Sequence, residues 1–291
     1  MIIHEHVIHM TLFPDLGHSC QEMSAHPPSM GPSPQWHHRV MTAVWAHRGA
    51  SGRLPENTMS AFLAALVSGA DAIELDVHLT RDGRVVVCHD ETIDRTSNGH
   101  GRVVDQSLQQ LRAYSFASGK PGWGYEPIPE LDDVLALSCR CDAIVNIELK
   151  NSLIRYPGLE QKVVDAVRRH HMADRVVISS FNHRSLVLLA DLAPDIRRGM
   201  LYEDDLVDPW SYAATLKVQA VHPRHQLLSG RDDVPTFHEH GLGVRAWTVN
   251  TEQAREAAHL GVDAVITNYP AEVAVAVASG GRQNPIASSG G

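Results

Sequence analysis

The chain has 291 residues, 43% of them hydrophobic and 20% charged, and a formal charge of −9. That is the composition of a soluble globular protein with an ordinary core, in one large domain or two small ones, and its acidic balance argues against a nucleic-acid partner. No run approaches the roughly 18 apolar residues of a membrane span, and the first six residues lack the basic and apolar regions of a secretory signal, so a cytoplasmic location is expected.

Residues 1–40 carry Pro27, Pro28, Pro32 and Pro34, scattered histidines and no sustained periodicity, which predicts a disordered extension. From residue 41 the pattern alternates between short β-branched runs and segments of helical spacing. The runs end near His47, Val77, Lys150, Ser180, Tyr202, His222, Thr248 and Asn268. The helical segments are predicted over 58–68, 131–138, 159–171, 184–192, 210–216, 234–240, 252–260 and 272–278. Eight strand–helix units predict a (β/α)8 TIM barrel over 41–279, followed by a disordered tail over 280–291.

One run, 84–89, is left over. Asp82-Gly83 just before it is a turn signal, so 73–80 and 84–89 read as a hairpin extending from the second barrel strand. Residues 91–128, rich in Gly, Ser, Tyr and Trp, then form a small insertion after that strand, placed to shape substrate access. A doubly wound open sheet is the rival fold. It should carry a glycine-rich phosphate loop, but the stretch from His47 to Gly52 has neither a Walker lysine nor a third Rossmann glycine. The four cysteines (Cys20, Cys88, Cys139, Cys141) have no zinc-like spacing. Cys139 and Cys141 are too close for a relaxed disulfide, and all four read as free thiols.

Chemistry-bearing residues collect at the predicted strand ends, where a barrel enzyme keeps its site. Period-two geometry puts Glu74 and Asp76 on one face of their strand. Glu148 and Lys150 share a face in the same manner. Carboxylates that point the same way repel unless a cation lies between them, and three hard oxygen donors suit Mg2+ or Ca2+. His47 and His89 are the candidate acid–base pair, because imidazole can give or take a proton near neutrality. Three carboxylates and one divalent ion leave about one negative charge, and a phosphodiester adds another; Arg48 and Lys150 can offset that remainder. Trp247, on the face of its strand that also carries Arg245, can pack against a small polyol. Phe181 and His222 are weaker candidates of that kind. Each residue has a structural alternative in core packing or salt bridging, and it is their grouping that points to metal-assisted attack on a phosphate ester.

These motifs resemble the glycerophosphodiester phosphodiesterase family. The likeness rests on His47-Arg48-Gly49 with Pro55-Glu56-Asn57-Thr58, on Glu74-Leu75-Asp76-Val77, and on His89-Asp90. Asn146 to Lys150, Ser179-Ser180-Phe181, Trp247 to Asn250 and Thr267-Asn268-Tyr269-Pro270 extend it. The resemblance implies hydrolysis of small-molecule glycerophosphodiesters to an alcohol and sn-glycerol 3-phosphate. It makes His47 and His89 the general acid and base, and Glu74, Asp76 and Glu148 the ligands of one divalent cation. Arg48 and Lys150 become phosphate contacts, and Trp247 lies against the glycerol. Glu56 becomes an anchor behind the metal site or a further polar contact. Either water or the glycerol 2-hydroxyl can serve as nucleophile. A lysophospholipase D, or a lyase releasing a cyclic phosphate from a lipid phosphodiester, is the enzymatic alternative; a non-catalytic phospholigand-binding barrel is the other.

Overall fold

The strand nearest the site, β1 (Ala43–His47), pairs in parallel with β2 (Ala72–Leu79) on one side and with β9 (Ala264–Thr267) on the other. That double pairing closes a barrel. Around it run β4 (Ile144–Leu149), β5 (Val176–Ser180), β6 (Arg197–Tyr202), β7 (Ala220–Pro223) and β8 (Gly243–Ala246), all parallel to their neighbours. The ninth strand, β3 (Val85–Val87), pairs antiparallel with β2 outside the ring. This is a computed structural model, and it describes residues 41–117, 120 and 122–280. The expected N-terminal extension lies outside the described residues, as does the tail apart from Gly280.

Each barrel strand is followed by a helix, as the alternation predicts. The outer ring consists of α1 (Met59–Val67), α3 (Leu131–Arg140), α4 (Leu159–Arg169), α5 (His183–Leu192), α6 (Pro209–Thr215), α7 (Asp233–Glu239), α8 (Thr251–His259) and α9 (Pro270–Gly280). Local chemistry sets several starts. The Thr58 side chain accepts from the Ala61 amide to cap α1, Asn250 forms a capping box on α8, and Pro270 opens α9, where no amide donor is needed. The strand period decides the layers: Ile73, Leu75 and Val77 pack outward with Phe62, Leu131 and Val163, which leaves Glu74 and Asp76 facing inward.

The strand starts are plugged from inside by Ala43, Trp45, Ala72, Val177, Ala264 and Ile266. Beside this plug the Arg245 guanidinium lies 4.7 Å over the Trp45 ring and donates to His222 Nε2 at 3.1 Å. Burial, with Arg245 adjacent, holds His222 well below the ordinary histidine range, so it is neutral. His222 is therefore an interior packing residue rather than a substrate contact.

The hairpin forms as expected, with Leu79 opposite Val85 and Val77 opposite Val87. The Cys88 amide then donates to the Asp76 carbonyl at 3.0 Å, which brings the returning strand back over the barrel mouth. The insertion has a small core of its own: Val86, Cys88, Ile93, Val103, Leu111, Phe116 and Ile128. The short helix α2 (Leu108–Leu111), started by a Ser107–Gln110 capping box, contributes to it. Sequence periodicity gives no warning of this core, because its members come from short, separate pieces of strand, helix and loop.

The reading of four free thiols needs correction. Cys88 and Cys141 are free, but Cys139 is disulfide-bonded. Spacing speaks only to the neighbouring Cys141, whereas a disulfide depends on which chains meet in space. Among the described residues no helix is long and apolar enough to cross a membrane.

The Gly199 position shows how tightly the barrel interior is filled. A Cβ built there would stand 2.4 Å from His222 Nε2 and 2.6 Å from its Cε1. Replacing Gly199 by Ala should destabilise the fold by about 1–3 kcal/mol through overpacking. Urea unfolding checks this; an unchanged midpoint would mean that the His222 ring has room to move.

Candidate active site

The end of β1 delivers His47, and the chain then turns sharply. Arg48 takes a left-handed backbone (φ 55°), and Gly49 follows at φ 78°. A Cβ on Gly49 would sit 2.6–2.8 Å from backbone and side-chain atoms of Ala61, so only glycine lets this loop lie on α1. The turn aims the Arg48 amide at Glu74 Oε2 (2.9 Å), while the Arg48 carbonyl accepts from the Asn57 amide at 3.0 Å. Asn57, also left-handed (φ 57°), sends its Nδ2 to Asp76 Oδ2 at 2.9 Å.

Two neighbouring strands bring the carboxylates together. Glu74 and Asp76 lie on β2 and Glu148 on β4, with Asp76 directly opposite Glu148 in the parallel register. One oxygen from each falls within 4.8 Å of the others, and all three residues are buried. Burial first, then Asp76 and Glu148, drives Glu74 well above the usual carboxylate range. Glu148 is also raised by burial, against the opposing pull of Lys150. For Asp76 burial acts upward too, but Arg48 and Lys150 outweigh it and hold the group low. Asp76 Oδ1 is buried with no hydrogen-bond partner. A tight set of hard oxygen donors with one oxygen left over fits a divalent cation. Glu56, by contrast, is not part of the cluster. It pairs with Arg48 at 2.9 Å and with Arg95 at 2.7 Å.

The cations surround this cluster. Arg48 Nε stands 3.3 Å from Asp76 Oδ2. Lys150 Nζ is 2.8 Å from Glu148 and 3.8 Å from Asp76. Although burial opposes it, these carboxylates keep both Arg48 and Lys150 firmly protonated.

The two histidines are held differently. His47 Nδ1 lies 2.6 Å from Asn268 Oδ1 at the end of β9. An amide oxygen can only accept, so the ring carries its proton on Nδ1 and leaves the Nε2 lone pair free. Burial, followed by the adjacent Arg48, lowers the His47 pKa to about 4, which keeps the ring neutral at pH 7. His89 Nδ1 donates to Asp90 Oδ1 at 2.6 Å, and Lys150 Nζ approaches its Nε2 at 3.2 Å. The backbone behind it is fixed by buried His78, which bonds the His89 carbonyl through Nε2 and the Tyr156 hydroxyl through Nδ1. Opposite, the rings of Phe181 and Trp247 meet edge to face with centroids 5.6 Å apart. The indole is anchored by its Nε1–H donating to the His222 carbonyl at 2.8 Å.

Apart from His222, the residues picked out from sequence gather at one end of the barrel, with Glu74, Asp76 and Glu148 facing inward from β2 and β4 and the others at strand ends or on the loops after them. Sequence reasoning assigned no role to Asn57, His78, Arg95 or Asn268. Asn57 and Asn268 lie inside recognised motifs and could have been found there; Arg95 and His78 act through partners that only the folded chain reveals.

A parallel barrel with buried carboxylates, two histidines and two cations at its mouth defines a barrel hydrolase suited to phosphate esters. The profile of the glycerophosphoryl diester phosphodiesterase family matches residues 47–272. The chain belongs to that family and with it is a phosphodiesterase. A glycerophosphodiester phosphodiesterase of Caldanaerobacter subterraneus is 40% identical over 250 residues, covering 83% of this chain and all of the relative. One from Bacillus altitudinis is 42% identical over 240 residues, covering 79% and 96%. Among solved structures, an Oleispira antarctica phosphodiesterase in complex with the product sn-glycerol-3-phosphate superposes with a TM-score of 0.75 at 28% identity, covering 82% of this chain and 97% of that one.

Clustered buried carboxylates cost stability until a cation joins them. Glu74→Gln should stabilise the metal-free protein by about 0.5–2 kcal/mol at neutral pH while impairing metal binding. The sign follows from the raised pKa of Glu74: its contribution is fully present below the ordinary glutamate range and is lost as pH rises through the raised value. Thermal melts in EDTA should therefore fall more steeply with pH for the wild type than for Glu74→Gln. Parallel curves would remove Glu74 as the source.

Proposed function

We propose that the chain hydrolyses glycerophosphodiesters such as glycerophosphocholine or glycerophosphoethanolamine to an alcohol and sn-glycerol 3-phosphate. Proton transfer is assigned to His47 and His89. A single Mg2+ or Ca2+ is assigned to Glu74, Asp76 and Glu148. The supporting observation is the convergence of these three buried carboxylates, with ligand oxygens within 4.8 Å of one another. When bound, the ion supplies Lewis-acid polarisation of the phosphoryl group and stabilises developing negative charge.

The chain's own residues account for the remaining chemistry. Arg48 and Lys150 lie beside the carboxylates as positive groups able to receive phosphate oxygens, and the Arg48 fork is held towards the site by Glu56. Phe181 and Trp247 form an apolar wall fit for the carbon face of glycerol. Neutral His47, its Nδ1–H fixed by Asn268, presents a lone pair at Nε2 and acts as the base that deprotonates the nucleophile. His89, as the imidazolium, hands its Nε2 proton to the leaving alkoxide once Lys150 turns from Nε2 to the phosphate, while Asp90 on Nδ1 orients the ring and balances its charge. The names of the relatives favour this reading over a lysophospholipase D or a cyclic-phosphate lyase.

Release of glycerol 3-phosphate from glycerophosphocholine is expected to stop in EDTA and to return with Mg2+ or Ca2+. His47→Ala and His89→Ala should each lower kcat by about 10²–10⁴-fold. Near-wild-type turnover in both variants would defeat the acid–base assignment, and full activity in EDTA would defeat the metal.

A further inference from the structure

The geometry points to Arg95, in the insertion, as a positioning residue that locks both halves of the site at once. It rests on the roles given above to His89 and Arg48. Its guanidinium makes four hydrogen bonds to two carboxylates. Nε and Nη2 reach Asp90 at 2.8 and 2.9 Å, and Nη1 and Nη2 reach Glu56 at 2.8 and 2.7 Å. Each of those carboxylates holds a further group: Asp90 accepts from His89 Nδ1–H at 2.6 Å, and Glu56 accepts from Arg48 Nη1 at 2.9 Å. Arg95 thus ends two chains, one leading to a proton-transfer ring and the other to a phosphate-binding cation.

Charge and shape both require an arginine here. Two carboxylates that grip the same guanidinium stand close enough to repel each other, so without it they would swing apart and take their partners with them. The hydrogen bonds from Arg95 hold Asp90 well below the usual carboxylate range and keep it an acceptor for His89. A lysine offers its three donors from one point and cannot give each carboxylate a pair of parallel hydrogen bonds. The backbone of Arg95 is set by the insertion's own core, through the fully buried Ile93 two residues before it. The same insertion grips the β1–α1 segment elsewhere: the Lys120 ammonium donates to the Gly52 carbonyl at 3.0 Å, and Glu126 accepts from the Ser60 hydroxyl in the first turn of α1 at 2.6 Å. Packing of the insertion and alignment of the site are therefore one event: when the insertion seats on the β1–α1 loop, Arg95 sets His89 and Arg48 together.

The test is a pair of double-mutant cycles on the full chain, with glycerophosphocholine as substrate. Arg95→Ala should lower kcat by about 10–100-fold, as loss of a supporting partner does elsewhere, and should raise KM as Arg48 loosens. In an Asp90→Asn background the kcat loss should largely vanish, and in a Glu56→Gln background the rise in KM should. Added guanidinium ion should partly restore Arg95→Ala. Arg95→Lys, which keeps the charge and guards against a folding defect, should show the same split in weaker form. Ring 15N shifts of His89, recorded at alkaline pH where the imidazole is neutral, give a readout free of turnover: a fixed Nδ1–H tautomer in the wild type and a mixture in Arg95→Ala. Losses that add in full in both backgrounds, or a His89 spectrum indifferent to Arg95→Ala, would overturn the proposal. An inactive wild type with the tautomer change intact would refute the functional reading and leave the lock standing.

Discussion

Mutual repulsion among Glu74, Asp76 and Glu148 is the constraint around which the mouth of the barrel is arranged. Parallel pairing of β2 with β4 puts Asp76 opposite Glu148 and leaves the inward face of β2 no alternative. The polypeptide answers with cations and donors on nearly every side: the Arg48 amide on Glu74, Arg48 and Asn57 on Asp76, and Lys150 on Glu148. A cluster of this kind is poor for stability and good for binding a hard cation, the usual trade between a strained site and its function. The left-handed backbones of Arg48 and Asn57 belong to the same solution, since each turns a donor towards a carboxylate.

Around the cluster the two histidines are set up by unlike means. His47 depends on a neutral amide, Asn268, and on burial, and it stays uncharged. His89 depends on a carboxylate and stands close to a lysine. Environments that differ this much suit chemically identical side chains to the opposite parts proposed for them. The apolar wall of Phe181 and Trp247 lies across from them. Its indole is tied to the backbone of His222, itself held in the interior beside Arg245, so the wall is continuous with the packed floor of the barrel.

Most of the architecture is legible in the sequence because two periodicities write it down. Alternation in Ile73 to Val77 tells inside from outside, and the helical spacing between strands supplies the outer ring. The strand ends expected near Ser180 and Tyr202 coincide with those observed. The site candidates were legible because a barrel places its chemistry at those ends. What the sequence hides is contact between distant segments. The insertion core from Val86 to Ile128 follows no period, the disulfide of Cys139 is not a matter of spacing, and Arg95 looks like one more loop arginine until Glu56 and Asp90 are seen on either side of it.

The hairpin of β2 and β3 has a bearing on how such an enzyme can diversify. His89 reaches the mouth only because the returning strand keeps phase with β2, bonded to the backbone of Asp76 itself. Adding or removing one residue in the Arg81–Gly83 turn would reverse the facing of every residue up to His89. The hairpin is thus a fixed ruler between His89 and the inward carboxylate of Asp76. Changes of length fit only beyond Arg95, where the chain neither counts in twos nor spans the contacts of Asp90, and that is the stretch left for altering specificity.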